Sequence, residues 1–279
     1  MRDAKDLERV SAVIEARPER SAFARYRHSL WLLTTRDLKV RYSTSFLGYF
    51  WSILDPLVMA AIYWFVFTVI FQRGVGHEPY IVFLLTALLP WTWFNGSISD
   101  STRAFTKEAK LIRSTRIPRT IWVARLVLSK GIEFIVSIPV IIFFALLTLG
   151  TRDPAHLNIE VLLVPLAIVM QAVLTLGVGL IVAPLVVFFR DLERAVKLGL
   201  RFMFYASPVV YGLVNIPKDF RALAAFNPMS GILSIYRSAF FPLELKWFDV
   251  IVSGIVSLVI LAIGLLVFQR TIATVLKEI

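Results

Sequence analysis

Long apolar segments without charged residues dominate this chain and limit what it can fold into. Six of them are predicted to be membrane-spanning helices, at residues 56–71, from near 80 to about 97, 121–149, 161–189, 198–213 and 250–268. Crossing a hydrocarbon core about 30 Å thick takes roughly 20 helical residues. The chain is 58% hydrophobic and 18% charged, whereas soluble domains are about 45–50% apolar and about 25% charged. The sequence therefore predicts an all-α polytopic membrane protein.

The basic residues cluster at the ends of the apolar segments. With six spans, 24 of the 30 Lys and Arg residues lie on one predicted side of the membrane and 6 on the other. The positive-inside rule then predicts that both termini are cytosolic. The net charge of +11 suits anionic lipid headgroups better than nucleic acid, because the arginines form no single solvated face.

The chain is predicted to have three parts: a cytosolic tail at 1–25, an amphipathic surface helix at 26–54 and a transmembrane domain at 55–279. The surface helix is basic and aromatic, which is typical of a membrane interface. Its residues expected at the interface are Arg36, Lys39, Arg41 and Tyr42. Asp55-Pro56 is expected to begin the first span, because Asp caps helices and proline suits their first position.

The loop 103–120, RAFTKEAKLIRSTRIPRT, is the most informative polar segment. Thr106 is expected to cap a short helix from which Leu111, Ile112 and Ile117 project inside a collar of basic residues. Such a knob suits insertion into a groove of a partner subunit; the alternative is a lipid-facing basic loop. The residues predicted to make this contact are Lys107, Lys110, Leu111, Ile112, Arg113 and Arg116, with Arg190 and Asp191 in a second turn.

Two features of the predicted external side are also informative. The segment 222–236 is uncharged but too short to span, and Asn227-Pro228 interrupts it, so a pair of short re-entrant helices is expected. Pro208 is expected to kink the fifth span.

Aromatic residues form stripes at helical spacing in the first and fifth spans. They are Trp64, Phe67 and Phe71 in the first and Phe202 and Tyr205 in the fifth. Such stripes usually serve helix packing. A stacking surface for sugar rings is the second interpretation, and the sequence leaves both open.

The remaining residues indicate structure rather than catalysis. Glu133 is expected to pair with Lys130 near the interface, since a proton relay would need further acids at depth. Gly177-Val178-Gly179 is expected to serve close helix packing. The chain has no P-loop motif, no cysteines and three scattered histidines, so no nucleotide site, metal site or enzymatic activity is predicted.

Four stretches together resemble the membrane subunits of type-2 ABC exporters for O-antigen, teichoic acid and related polysaccharides, which include mycobacterial galactan exporters. They are RDLKVRYSTSFLGYFWSILDPL (36–57), FFRDL (188–192), ASPVVY (206–211) and FNPMSGILSIYR (226–237). The resemblance implies a homodimer bound to two copies of a separate ATPase. Mg-ATP would bind to that partner, so no cofactor is expected in this chain. It also implies a location in the bacterial inner membrane.

The resemblance further assigns roles to the predicted segments. The helix at 36–51 would rest on the ATPase, and 106–117 resembles the coupling helix that docks in it. The first and fifth spans would line a channel for a lipid-linked polysaccharide entering from the cytosolic leaflet. The segment 217–245 resembles a pair of external gate helices. Its expected gate residues are Asn227, Pro228, Tyr236 and Arg237.

Three other classes of protein are alternatives. A type-2 ABC exporter of a lipid or drug would share the fold. A secondary transporter would need buried ionisable residues and internal repeats, which are not evident. A membrane glycosyltransferase would need exposed catalytic carboxylates, whereas Asp55 and Asp100 are explained as cap and interface residues.

Overall fold

The computed structural model describes residues 21–43, 48–72, 76–115 and 117–278. Within these ranges the chain is helical and contains no strand, so the prediction of an all-α protein is confirmed. The α-helices are α1 (Ala22–Tyr42), α2 (Trp51–Trp64), α3 (Tyr80–Ser101), α4 (Ala109–Ser114), α5 (Ile121–Leu147), α6 (Val164–Phe188), α7 (Leu192–Ala206), α8 (Lys218–Ala225), α9 (Pro228–Ser238) and α10 (Trp247–Glu278). A π-helical stretch continues α2 over Phe65–Ile70. Short 3-10 turns occupy Gly48–Phe50, Thr148–Gly150, Ile159–Leu163, Leu213–Asn215 and Pro242–Glu244.

Five helices in the described ranges are long and apolar enough to cross a membrane. They are Trp51–Ile70, Tyr80–Ser101, Ile121–Gly150, Ile159–Phe188 and Trp247–Glu278, and they match five of the six predicted spans. The predicted span at 198–213 corresponds to α7, whose 15 residues extend about 22 Å at 1.5 Å per residue. The total of six spans stays a prediction.

The end of α7 differs from the expectation at Pro208. The helix stops at Ala206, so Pro208 does not kink it. A proline disfavours the helical conformation in the residue before it, and Ser207 is accordingly extended, with φ −93° and ψ 149°. Pro208 terminates the helix.

The break between α1 and α2 lies earlier than predicted. α1 ends at Tyr42 and α2 begins at Trp51, so the predicted helix start at Asp55 and the single surface helix over 26–54 are both wrong. Gly48 has a φ of 50°, which favours glycine and interrupts a right-handed helix. Pro56 lies inside α2, where it removes one backbone hydrogen bond. Of the predicted tail, residues 1–20 lie outside the described ranges.

The core is organised around α3, which is buried along most of its length. α3 packs against α2, α5 and α6, while α10 lies along α6. A Cβ on Gly264 of α10 would lie 2.4 Å from the carbonyl oxygen of Gly177 in α6. A Cβ on Gly179 would lie 2.8 Å from Val123 of α5. These close approaches, one to backbone and one to a side chain, confirm that the Gly177–Gly179 segment serves close packing.

The two short helices α8 and α9 occupy the segment predicted to contain a re-entrant pair. Asn227 caps α9 by accepting a hydrogen bond from the Met229 amide at 3.0 Å, and Pro228 takes the first helical position, as such residues commonly do. The residues of α9 from Met229 to Ser238 are buried. Two short helices are therefore present here, and their role as an external gate stays a prediction.

Candidate functional site

One group of ion pairs joins α1 to the segment before α4 and to α5. We call it the Arg125 cluster; its members are Arg36, Asp37, Glu108 and Arg125. Arg36 donates to Glu108 at 2.6 Å, and Arg125 donates to both carboxylate oxygens of Asp37. The Arg125 side chain is only 3% exposed and also lies 3.7 Å from Glu108. Charge-assisted hydrogen bonds of this kind are roughly twice as strong as neutral ones, so they hold α1 against both neighbours.

A second group, the Glu133 cluster, joins α1 to α3 and α5. Arg41 donates to Glu133 at 2.8 Å and to Asp100 at 2.7 Å. Lys130 donates to the second oxygen of Glu133 at 2.7 Å, which confirms the predicted pair. Because two cations face Glu133, whose side chain is 6% exposed, its buried charge is compensated.

The basic residues of α1 are therefore used differently from the prediction. Arg36 and Arg41 were expected to face the membrane interface, but both donate to carboxylates of the protein. Lys39 is exposed, as a headgroup contact would require. The side chain of Tyr42 lies outside what the structure describes.

The segment 106–117, which we call the coupling segment, has exposed basic side chains, whereas its apolar side chains are buried or half-buried. Its exposed basic side chains are Lys107, Lys110 and Arg113. Ile112, however, is fully buried in the cluster that contains Phe105 and Trp122, so the prediction that it projects is wrong. Burying such a side chain gains about 1.5–3 kcal/mol. Leu111 is half-buried against the same cluster, and Arg116 lies outside the described residues.

The start of this short helix also differs from the expectation. α4 begins at Ala109 with Glu108 in the N-cap position and no side-chain cap, whereas Thr106 was expected to cap it. The Thr106 hydroxyl instead donates to the carbonyl of Arg103 at 3.4 Å. Glu108, at the N-terminal end of α4, is also the residue of this segment that pairs with Arg36 of α1.

The second predicted contact, the turn before α7, leaves Arg190 and Asp191 exposed. Immediately after it, Glu193 accepts hydrogen bonds from Arg103 at 2.9 Å and from Lys197 at 2.7 Å. The Arg103 guanidinium, together with the Lys197 ammonium, lowers the pKa of Glu193 to about 2. This bridge ties the end of α3 to the start of α7, and the sequence analysis did not find it.

A groove of about 560 Å³ lies between α2, α3 and α7, and we call it the α2–α7 groove. Its aromatic and polar lining includes Tyr63, Trp91, Phe204 and Tyr205 with Asp55, Asn95, Lys197 and Arg201. The Phe204 ring lies 6.0 Å from Tyr63 and 5.5 Å from Trp91, measured between ring centres. The groove therefore combines aromatic rings with hydrogen-bonding groups and two basic side chains.

The residues predicted to line a channel are divided between this groove and other surfaces. Tyr205 lines the groove. Phe67 packs beside it, 6.4 Å from Tyr63 and 6.2 Å from Tyr80. The remaining three are exposed outside the groove: Trp64, Phe71 and Phe202. The first and predicted fifth spans thus meet, although most of the groove residues are not the predicted ones.

The predicted gate residues Tyr236 and Arg237 are buried. Tyr236 packs edge-on against Phe134 of α5, with ring centres 5.4 Å apart. The Arg237 guanidinium donates to the carbonyls of Val209 at 2.8 Å and Tyr211 at 3.1 Å. α9 is thereby held to the chain that follows α7.

The fold and these sites define a polytopic helical membrane protein with a groove between α2, α3 and α7 and an N-terminal helix, α1, fixed by ion pairs. The chain belongs to the ABC-2 type transporter family, whose sequence model matches residues 28–241. This confirms the resemblance to type-2 ABC membrane subunits.

Three proteins with similar sequences are named as export or transport proteins. The O-antigen export system permease protein RfbA of Klebsiella pneumoniae is 35% identical over 241 residues, which cover 86% of this chain and 91% of that protein. The protein of the same name from Myxococcus xanthus is 31% identical over 77% of this chain and 81% of its own length. The polysialic acid transport protein KpsM of Escherichia coli is 25% identical over 80% of this chain and 85% of its own length.

Proposed function

We propose that this chain is the membrane subunit of an ATP-driven exporter that moves a lipid-linked polysaccharide out of the cytosol across the bacterial inner membrane. The observation that carries the proposal is the similarity to O-antigen and polysialic acid transport proteins over most of the chain. The family model matches residues 28–241, a range that includes both α2 and α7, so the match extends over the elements that form the α2–α7 groove.

The chemistry of the groove supports a carbohydrate cargo. The apolar C–H faces of sugar rings stack on aromatic side chains, while hydroxyls need hydrogen-bonding partners. Tyr63, Trp91 and Tyr205 supply rings in the groove, and Asn95 supplies an amide. The basic residues Lys197 and Arg201 near one end suit the phosphate groups of a lipid carrier.

The energy source is proposed to be a separate ATPase. The chain has no P-loop motif, so we assign Mg-ATP binding and hydrolysis to two copies of a partner subunit. The exposed basic residues of the coupling segment and the turn at 190–191 are the proposed docking points. With both termini cytosolic, as the charge distribution predicts, these two elements face the same compartment.

We further propose that two copies of the chain form the channel. The span Trp51–Ile70, which consists of α2 and its π-helical continuation, is the least buried of the five candidate spans, and its exposed side chains include Ile62 and Phe65. A second copy packed on this face would enclose the α2–α7 groove. Exposed apolar side chains that face lipid in a monomer would then be buried in the dimer.

The test is export by the complete complex in proteoliposomes. The chain and its co-purified ATPase are supplied with a lipid-linked glycan, and the glycan that reaches the other side is measured. Transport that needs both ATP and the ATPase is expected. Tyr205→Ala is expected to lower it about two- to tenfold, in line with an aromatic contact of 0.5–1.5 kcal/mol.

Leu258→Ala, on the exposed face of α10, is the matched control and should export normally. Equal export by the Tyr205 and Leu258 variants would show that the glycan does not pass through the α2–α7 groove. Export by the isolated chain, without an ATPase, would overturn the proposed function itself.

A further inference from the structure

The coupling segment depends on its neighbours for its orientation. α4 has only six residues, and isolated helices shorter than about 12–15 residues are marginal in water. Several side chains of the segment connect it to the rest of the protein, with Leu111 and Ile117 half-buried against the core. Ile112 is buried in the core on one side, and Glu108 pairs with Arg36 of α1 on the other.

α1 is attached to the same part of the bundle. It packs along α5, and Asp37 of α1 pairs with Arg125 of α5. Arg41 adds contacts to Asp100 of α3 and Glu133 of α5. The ion pairs of α1 thus connect it to α3, α4 and α5.

Two of the ion pairs in the Arg125 cluster, Asp37–Arg125 and Arg36–Glu108, differ in burial. The Asp37 and Arg125 side chains are 12% and 3% exposed, so separating them would leave the buried Arg125 charge with only Glu108, 3.7 Å away, as a carboxylate partner among the described residues. Arg36 and Glu108 are 36% and 20% exposed, so water replaces part of their interaction when they separate. The first pair is suited to a permanent anchor between α1 and α5. The second is suited to a contact that passes a displacement of α4 on to α1 and can adjust as α4 moves.

We propose that Arg36 and Glu108 are positioning residues that make α1 move with the coupling segment. The inference rests on the proposed function and identifies the residues through which docking of the ATPase moves α1. When the ATPase displaces α4, the Arg36–Glu108 pair carries α1 along, and the Asp37–Arg125 pair passes the displacement to α5. α1 is then a mechanical part of the exporter as well as a surface element.

The test uses charge reversal in the complete complex. Arg36→Glu and Glu108→Arg each place like charges together at this contact. We expect each to lower the glycan exported per ATP hydrolysed about tenfold, within the 5- to 150-fold range typical of coupling between sites. The amount of co-purified ATPase should stay unchanged. Arg27→Glu, an exposed reversal on the same helix, is the matched control and should keep the ratio of the unmodified chain.

The double variant Arg36→Glu/Glu108→Arg distinguishes loss of the specific Arg36–Glu108 contact from a general effect of altered charge. It restores an opposite pair and should recover part of the ratio. Recovery will be incomplete, since an arginine at position 108 would approach Arg125, which now lies 3.7 Å from Glu108. A double variant no better than the worse single variant would overturn the proposal, as would single variants that behave like the control.

A distance measurement separates this inference from the proposed function. The chain has no cysteines, so Val40→Cys and Ser114→Cys, both at exposed positions, place one spin label on α1 and one at the end of α4. Arg36→Glu should broaden the distribution of distances between the labels, and an unchanged distribution would overturn the inference. If the unmodified complex failed to export glycan, the proposed function would fail, while the label distances would still report whether Arg36 holds the segment.

Discussion

The guanidinium carbon of Arg237 in α9 lies 3.7 Å from the centre of the Phe83 ring in α3. The same guanidinium donates to the carbonyls of Val209 and Tyr211, which follow the end of α7. One buried cation thereby joins two helices and the chain between α7 and α8. Desolvated cation–π contacts contribute about 2 kcal/mol or more, and the two hydrogen bonds satisfy the carbonyl of buried Val209 and that of half-buried Tyr211.

Replacing Arg237 with methionine should therefore lower stability strongly. The change removes both hydrogen bonds and leaves Glu244, whose side chain is 2% exposed, without the cation 3.8 Å away. Breaking a buried pair by removing one partner typically costs about 3–5 kcal/mol. Thermal unfolding of the purified protein in detergent measures the loss. Arg152→Met, at an exposed position, is the control, and equal unfolding temperatures for both variants would contradict this role of Arg237.

Two aspartate substitutions in the coupling segment should have different consequences. Ile112→Asp places a carboxylate in a fully buried apolar position, which costs several kcal/mol unless the group stays protonated, so the variant should be lost to aggregation. Lys110→Asp changes an exposed side chain and should leave the fold intact while weakening ATPase binding. Size-exclusion profiles and the amount of co-purified ATPase distinguish the two effects. An Ile112 variant that folds normally but fails to bind the ATPase would return Ile112 to the docking surface.

The spans were predictable because hydrophobicity is a local property of the sequence. A run such as 250–268 is apolar whatever its neighbours, and it lies within α10. The break before α2 was misplaced because Asp55-Pro56 has the residue types of a helix start. The interruption lies instead near Gly48, whose φ of 50° is a property of the folded backbone.

The sites were less predictable because they depend on which helix faces which. Lys130 and Glu133 are three residues apart, so their pairing follows from helix geometry. Arg41 reaches the same carboxylate from a distant part of the chain, which no local spacing indicates. In the first span, the stripe of Trp64, Phe67 and Phe71 marks one side of the helix, whereas Tyr63, one residue before Trp64, is the ring of this span that lines the groove.

Adding a methyl group at Gly264 should disturb the packing of α10 on α6. The new Cβ would lie 2.4 Å from the Gly177 carbonyl oxygen, and backbone cannot move aside as a flexible side chain can. Gly264→Ala is therefore expected to lower the unfolding temperature, with a loss of about 1–3 kcal/mol, as is typical of overpacking. Gly199→Ala is the matched control, since nothing lies within 4 Å of its Cβ position. Alanine should favour helix α7 there by up to about 1 kcal/mol. A Gly264→Ala variant as stable as the Gly199→Ala variant would contradict the close backbone contact.

The Glu193 bridge should contribute to stability over a defined range of pH. Its hydrogen bonds from Arg103 and Lys197 lower the pKa of Glu193 from 4.5 to about 2. Since the pKa is lower in the folded state, the contribution is fully present above about pH 4.5 and is lost as the pH falls towards 2. The difference in unfolding temperature between the unmodified chain and Glu193→Gln should be constant at neutral pH and shrink across this range. Glu278→Gln, at an exposed position near the end of α10, controls for the loss of one carboxylate. A difference that persists unchanged at pH 2 would exclude ionisation of Glu193 as its source.

Variants of Glu133 distinguish a structural role of the Glu133 cluster from a role in proton transfer. Glu133→Leu removes the carboxylate that faces Lys130 and Arg41. Arg41 keeps its contact with Asp100, whereas Lys130, whose side chain is 19% exposed, loses its nearest carboxylate. The single variant should therefore lose about 3–5 kcal/mol, as for other buried pairs broken on one side.

The double variant Lys130→Met/Glu133→Leu removes both charges and should recover most of that loss, because replacing a buried ion pair by apolar residues of similar volume is often neutral. Unfolding temperatures of Glu133→Leu, of Lys130→Met and of the double variant complete the cycle. If the pair is structural, the double variant should also export glycan at close to the normal rate. A double variant that is stable but inactive would instead show that transport requires an ionisable group at this position, and the assignment of Glu133 to a structural ion pair would then be wrong.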